Sequence, residues 1–327
     1  MLDIVMYHYV RNNEDHNYDC HSRRIDEFEK QVSFFKKKRK IIDPKDINQI
    51  KYFLTSCNET AILLTFDDGY KDHLYCARYL HSIDLSAFFF PPINAISGTL
   101  LDVNAIHFLI GQRNLVHSKL LDYIIQQIKE KEYTTLKDLK EVSIENYLEQ
   151  DSKNRYDSSE VYFIKKLLQR DILGAKNRRR IISEAIKKFS FEEEISLAKH
   201  LYLSVEEMLE MQKLGMLFGS HGLTHKWLNT LSYEDQFIEI NKSFEALSKF
   251  GIMNTNCPKV LCYPFGAYNL DTIKISKKLS IDFSLTTQVG SATQDSLDSC
   301  YALKRWDTND CWDNKLNKAT LPLNVNS

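Results

Sequence analysis

The chain has 327 residues, and 43 Lys and Arg against 44 Asp and Glu leave a formal net charge of −1; that argues against a nucleic-acid binder driven by phosphate neutralisation, which carries a basic excess. A hydrophobic content of 43% with 12% aromatics argues against intrinsic disorder. With 10 Gly and 6 Pro, a glycine-rich repeat or turn-dense sandwich is disfavoured, and the length suits one large or two ordinary domains.

The N-terminus, Met1-Leu2-Asp3-Ile4-Val5-Met6-Tyr7, has no basic n-region and an apolar run too short for a signal peptide. No stretch approaches the roughly 18 apolar residues that span a bilayer. A cytoplasmic protein without a membrane span is expected. Cys20, Cys57, Cys76, Cys257, Cys262, Cys300 and Cys311 are odd in number and lack CxxC spacing, so free thiols in a reducing compartment are expected.

Leu2–Tyr9, Ala61–Phe66 and Ala87–Phe90 are short apolar runs ending in polar loops, and read as buried strands. Between them Ile25–Lys38 and Lys71–Ile83 carry apolar residues at helical spacing, and this alternation predicts a parallel sheet. Residues 96–203 are rich in Lys, Glu, Ile and Leu. They predict amphipathic helices over Asn104–Leu115, Lys119–Lys131, Leu136–Glu149, Ser158–Leu173, Lys176–Phe189 and Phe191–Leu201, an all-helical insertion. From residue 204 the αβ texture returns. Ser204 and Glu207 form a capping box before Val205–Leu214, Ser232 caps a helix running to Phe250, and Asn269–Leu279 is a further helix. Met216–Gly219, Lys259–Tyr263, Ile281–Leu285 and Tyr301–Trp306 are the remaining strands, and residues 313–327 read as a weakly ordered tail. The basic runs Lys36–Lys40 and Arg178–Arg180 read as solvated helix faces.

Three segments carry chemistry. Leu64-Thr65-Phe66-Asp67-Asp68-Gly69-Tyr70 places two adjacent carboxylates at the end of an apolar strand, where side chains reach the open edge of an α/β sheet. Adjacent side chains diverge, so one carboxylate can bind a metal while the other faces substrate. Ser220-His221-Gly222-Leu223-Thr224-His225 follows another strand, and its imidazoles at i and i+4 would share one face of a helical turn. An aspartate and two histidines form a facial set that leaves positions open for water and substrate. Leu261-Cys262-Tyr263-Pro264-Phe265-Gly266 ends a strand in a turn that brings aromatics and backbone N–H groups to the same edge.

Together these segments resemble the polysaccharide deacetylase family, carbohydrate esterase family 4 or NodB homology domain, most closely its branch with an N-terminal YHxV motif acting on poly-N-acetylglucosamine. Residues 65–70, 220–225 and 263–266 match its motifs, so the resemblance covers about residues 1–95 and 204–310. It implies an α/β fold: an irregular (β/α) barrel of the NodB/glycoside hydrolase–deacetylase type, formed by 1–95 and 204–312 and interrupted by the helical insertion 96–203. It also implies Asp68, His221 and His225 as metal ligands, Asp67 as general base, and Tyr263, Pro264, Phe265 and Tyr70 on the oxyanion and substrate side, with the Tyr263 N–H or a neighbour as oxyanion donor.

Two departures stand out. No histidine follows His225, so the usual C-terminal general acid is missing; Tyr7-His8-Tyr9-Val10 resembles the branch in which that element lies at the N-terminus, which makes His8 the acid. The third motif lacks its arginine; Arg305 ends the last predicted strand and would orient the base in its place, with Asp307 orienting His8 or Arg305. The expected cofactor is a divalent metal, zinc by default, with Co2+, Ni2+ or Fe2+ accepted by the same donors. The reading is an N-deacetylase of an amino sugar, polysaccharide, or nucleotide- or lipid-linked sugar in cell-surface polysaccharide or O-antigen synthesis. The insertion would cover the groove or form an oligomer contact. A non-catalytic carbohydrate-binding protein and an O-acetyl esterase are the alternatives.

Overall fold

The computed structural model describes residues 1–16, 18–56, 59–130, 157–169, 173–190, 192–253, 257–294, 299–313, 315 and 318–321. In chain order the elements are β1 (Leu2–Tyr7), α1 (Ile25–Lys38), β2 (Lys40–Ile41), α2 (Ile47–Thr55), β3 (Ala61–Asp67), α3 (Asp72–Ser82), β4 (Phe88–Phe90), α4 (Ile93–Ile96), α5 (Asp102–Gly111), α6 (His117–Glu130), α7 (Ser159–Gln169), α8 (Ala175–Phe189), α9 (Glu194–Leu201), α10 (Val205–Lys213), β5 (Leu217–Phe218), α11 (Tyr233–Lys249), β6 (Val260–Cys262), α12 (Leu270–Lys278), β7 (Phe283–Val289), β8 (Leu303–Asp307), β9 (Trp312–Asp313) and β10 (Lys318–Ala319). They fall into two compact units, Met1–Asn12 with His21–Gly98 and Lys199–Ser327, and Asn13–Cys20 with Thr99–Ala198.

The first unit holds one sheet in the order β5-β4-β3-β1-β8-β7-β6, every adjacent pair parallel, with β2 added beside β3. Ser220, just past β5, closes it: its N–H donates to Val260 O at 2.9 Å and its carbonyl accepts from Cys262 N at 2.8 Å. The result is the irregular (β/α) barrel expected. Period-2 alternation sorts the strand residues. Ile4, Leu63, Phe88, Phe90, Val260, Phe283, Leu285 and Leu303 fill the interior. Val5, Tyr7, Ile62, Leu64, Phe66 and Phe89 face outward and pack on Phe28, Val32 and Phe35 of α1 and Leu80 of α3. Burying apolar surface on both faces of each strand, at roughly 25 cal/mol per Å², is what drives this arrangement.

Helix ends follow their local chemistry. Ser204 Oγ accepts from Glu207 N at 3.2 Å while Glu207 Oε2 accepts from Ser204 N at 2.8 Å, the reciprocal pair expected at the start of α10. Ser232 caps α11 through Asp235 N at 3.2 Å. Helix α2 has no counterpart in the sequence reading; Asp46 caps it through Gln49 N at 2.9 Å, and Ile50, Phe53 and Leu54 bury its inner face. The second unit is helical, with Ile106, Leu109, Leu120, Ile124, Ile164, Leu167, Ile182 and Ile186 in its core. Its first helix stops short of the expected Leu115, because Gly111 O accepts from Asp19 N at 2.8 Å and Gln112 pairs with Tyr18. Arg178, Arg179 and Arg180 are held in ion pairs with Asp102, Glu194 and Glu184. The helix expected over Leu136–Glu149 lies outside the described residues, as does most of the 313–327 segment; β10, within it, pairs antiparallel with β9, which straddles its start.

Closure of the barrel depends on Gly219. A Cβ there would stand 2.6 Å from Val260 O and run into the Phe90 ring. Gly219→Ala should therefore destabilise the protein by about 1–3 kcal/mol, read as a lower denaturant midpoint; an unchanged midpoint would show that the seam yields freely.

Candidate active site

In a parallel barrel, side chains beyond the C-terminal strand ends share one open rim. Asp67 ends β3 in phase with inward-facing Leu63, and Asp68 follows it with a left-handed backbone (φ 74°) whose N–H donates to Phe90 O at 3.0 Å. The reversal separates the two carboxylates into different surroundings.

Asp67 is 1% exposed and meets Arg305, which β8 carries into the barrel interior at the same exposure. Arg305 Nη1 donates to Asp67 Oδ1 at 2.9 Å and Nη2 to Oδ2 at 2.7 Å. The guanidinium is itself fixed by Nε–H to Thr286 O at 2.7 Å and Nη1–H to Thr65 Oγ1 at 3.3 Å. Cys262 completes the group, with its Sγ 3.4 Å from Asp67 Oδ2 and 3.2 Å from Arg305 Nη2. Burial alone would raise the Asp67 carboxyl; the Arg305 charge and its two hydrogen bonds outweigh it and hold the value at about 2.

Asp68 turns to the histidines. Its Oδ1 stands 3.4 Å from His221 Nε2 and 3.2 Å from His225 Nε2, yet is buried without a hydrogen-bond partner. Its Oδ2 accepts from Tyr70 OH at 2.7 Å. His221 Nδ1–H donates to Cys262 O at 2.8 Å, which turns Nε2 toward Asp68; burial opposes charge on this ring, but Cys262 and Asp68 outweigh it and raise it well above the usual imidazole value. Burial lowers His225, favouring its neutral form. Donor atoms sharing one ion at about 2.1 Å stand about 3.0–3.4 Å apart, so this trio fits a divalent cation, and the orphaned Oδ1 is the atom it would satisfy. A second group, Asp67, His221 and Cys262, also lies close together. Arg305 binds both Asp67 and Cys262 there, and its charge opposes a cation.

The sequence reading places both imidazoles on a helical turn. Residues 220–225 are instead a loop, with left-handed backbones at Gly222 (φ 76°) and His225 (φ 55°) that fold the two rings together, centroids 4.8 Å apart.

His8 lies just past β1, its side chain 36% exposed and its Nε2 3.9 Å from Asp67 Oδ2. His73 anchors it, with Nε2 2.9 Å from His8 O. Burial takes His73 down to about 4, so the ring is neutral and Nε2 carries the donated proton. Asp307 does not join this group: its Oδ1 accepts from Asn309 N and Nδ2, both at 2.8 Å, and among the described residues it bonds neither His8 nor Arg305. The strand ends there, and the carboxylate serves the following turn.

Two substrate-side expectations are corrected. Tyr70 is fully buried, stacked on Tyr9 at 4.0 Å, and holds Asp68 rather than facing the rim. The Tyr263 N–H is committed to Leu285 O at 3.0 Å and its hydroxyl to Tyr301 O at 2.8 Å. Pro264 has no N–H, Gly266 N donates to Tyr263 O, and Ala267 N donates to Pro264 O. Phe265 N–H is the donor of this turn that no backbone carbonyl takes among the described residues. Phe265 is left-handed (φ 58°), stacked face to face on Trp227 at 4.5 Å and edge-on to His225 at 4.6 Å. Cys262, His73, Trp227 and Glu239, which binds the 223–224 backbone, were not among the sequence candidates. Cys262, His73 and Glu239 share one signal, a polar side chain in phase with a buried strand or helix face; Trp227 lies in a loop and carries no such signal.

Residues 181–284 match the polysaccharide deacetylase profile, a stretch that includes His221, His225 and the Tyr263–Gly266 turn but none of His8, Asp67, Asp68 or Arg305. Over 107 residues, 33% of this chain, the sequence is 33% identical to YxkH of Bacillus subtilis (strain 168), a protein named for the same family; the match spans 36% of that protein's length. The deacetylase PplD of Streptococcus pyogenes, solved in complex with acetate, superposes with a TM-score of 0.53 and 18% identity, over 94% of this chain and 91% of that one. IcaB from Ammonifex degensii gives a TM-score of 0.51 and 12% identity, over 93% and 90%. At these identities the two structures show a shared fold.

Because the folded Asp67 value lies below that of an unfolded carboxylate, its pairing with Arg305 stabilises the protein fully above about pH 4, and that contribution is lost as pH falls through about 2. Arg305→Met leaves burial unopposed. It should cost about 3–5 kcal/mol at pH 7, a gap that narrows on acidification as the orphaned carboxyl protonates. Denaturation at pH 7 and at about pH 4 checks this; a pH-independent gap would contradict it.

Proposed function

We propose that this chain is a polysaccharide deacetylase, as the profile match over residues 181–284 and the shared fold suggest, and that it hydrolyses the acetamide of an N-acetylated sugar or sugar conjugate, releasing acetate and a free amine, in the making of a cell-surface polysaccharide. The observation that carries the reading is the split of the Asp67–Asp68 pair: one carboxylate locked to Arg305, the other facing two imidazoles.

Asp68, His221 and His225 would hold a divalent cation, with zinc the expected ion. When bound, it supplies Lewis acidity and lowers the pKa of water from 15.7 toward about 7. That requirement agrees with the state of Asp67. A carboxylate held at about 2 is a weak base and takes a proton readily only from an acidified water. Its two Arg305 hydrogen bonds leave lone pairs on each oxygen for that proton. As the water oxygen adds to the acetamide carbon, negative charge grows on the carbonyl oxygen, and Phe265 N–H is positioned to donate to it. His8, exposed and close to Asp67, then gives a proton to the departing nitrogen as the C–N bond breaks. Arg305 keeps Asp67 ionised and fixed in direction, the service the family's third-motif arginine would otherwise perform. The anchoring of His8 O by His73 fixes where the acid stands.

Acetate release from a chitooligosaccharide and from a monomeric N-acetylglucosamine conjugate, assayed with and without a chelator, tests the reading. Asp67→Asn and His8→Ala should each lower turnover by about 10²–10⁴-fold, and chelation should abolish it until Zn2+ or Co2+ is restored. Bound metal without acetate release from either substrate, and release from an O-acetylated sugar instead, would move the reading to an esterase.

A further inference from the structure

The loop that carries both imidazoles is gripped from two sides. From one side α4 donates to its carbonyls: Ile93 N to Gly222 O at 3.3 Å and Asn94 N to Leu223 O at 2.9 Å. From the other side Glu239 of α11 takes its donors: Oε2 accepts from Leu223 N at 3.1 Å and Thr224 N at 2.9 Å, and Oε1 from Thr224 Oγ1 at 2.5 Å. Glu239 is 6% exposed. Helix α11 turns a buried polar stripe, Gln236, Glu239 and Ser243, toward this part of the barrel. Ser243 pairs with Ser220 Oγ, which accepts from Gly222 N at 3.1 Å. Two successive N–H groups aimed at one carboxylate oxygen form an anion-holding nest, filled here by the protein's own side chain.

We propose that Glu239 is a positioning residue for the metal site: it sets the affinity of Asp68, His221 and His225 for their cation by holding the 221–225 loop in its ligand-ready form. The proposal rests on the metal reading above. Its physical basis is the left-handed backbone of His225, which is strained in a residue with a Cβ and persists only where its surroundings impose it. The three hydrogen bonds to Glu239 fall within the two residues before His225 and lie between the two ligands in sequence. Without them the loop relaxes toward ordinary backbone angles, and the two Nε2 atoms no longer converge on Asp68 Oδ1. The carboxylate also adds negative charge behind the donors, and Lys226 Nζ, 4.0 Å from Oε1 and half exposed, offsets it only partly.

The test is equilibrium Co2+ binding by the full chain in competition with a chromophoric chelator, with the visible spectrum of the Co2+ form recorded alongside. Glu239→Gln keeps the shape but presents an amide donor where an acceptor is needed. It should weaken Co2+ about 10–100-fold, the usual cost of removing a group that orients a ligand, and alter the spectrum. Thr224→Val, which removes only the hydroxyl bond, should weaken it several-fold less. A Glu239→Gln chain that melts lower without metal but binds Co2+ within twofold of wild type would overturn the proposal and leave the metal site standing. A wild-type chain that binds no Co2+ would overturn both.

Discussion

The buried Asp67–Arg305 pair governs the rest of the site. It lies inside the barrel, so its carboxylate and guanidinium give up their hydration, and each is tolerable only because the other is present. The arginine satisfies two further acceptors, Thr286 O and Thr65 Oγ1, from strands on either side. One side chain thereby ties β8, β7 and β3 together at the depth where catalysis would begin. Buried ion pairs can often be replaced by apolar residues of similar volume at no loss of stability, which places the value of this pair in fixing a charge and a direction rather than in stability alone.

A second constraint is carried by the backbone. Asp68, His225 and Phe265 all have positive φ although none is glycine. Each belongs to a different loop, and each is held by neighbours: Phe90 O at Asp68, Glu239 near His225, and Trp227 against Phe265. Strained conformations concentrate where a protein needs a side chain or an N–H in a direction that relaxed backbone does not offer. The three loops thus form a set of independently braced parts brought to one rim.

Much of this was legible in the sequence because short-range patterns encode it. Apolar runs marked β1, β3, β4 and β6 closely, and the Ser204–Glu207 capping box set the start of α10. The carboxylate pair, the two histidines, His8 and Arg305 were nameable as candidates, and they converge on one rim. What sequence could not supply was direction. Tyr70 and Tyr263 sit inside recognisable motifs, yet their hydroxyls and the Tyr263 N–H point into bonds with Asp68, Tyr301 and Leu285. Asp307 is in phase with Arg305 but lies where the strand gives way to a turn. Glu239 reads as one more acidic residue on an amphipathic helix until the loop it holds is seen.

Asp67 and Arg305 are separated by 238 residues in sequence, and β1, the strand just before His8, lies between theirs in the sheet. The stretch that matches the family profile therefore carries imidazoles and a turn but neither Asp67 nor its counter-charge. During synthesis the same ordering applies: the carboxylates emerge first, the imidazoles much later, and the arginine near the end. Without Arg305 of β8, burial would raise the Asp67 carboxyl with nothing to oppose it as strongly. The proposed chemistry would thus depend on the pairing of β8 with β1, strands far apart in sequence that lie side by side in the sheet.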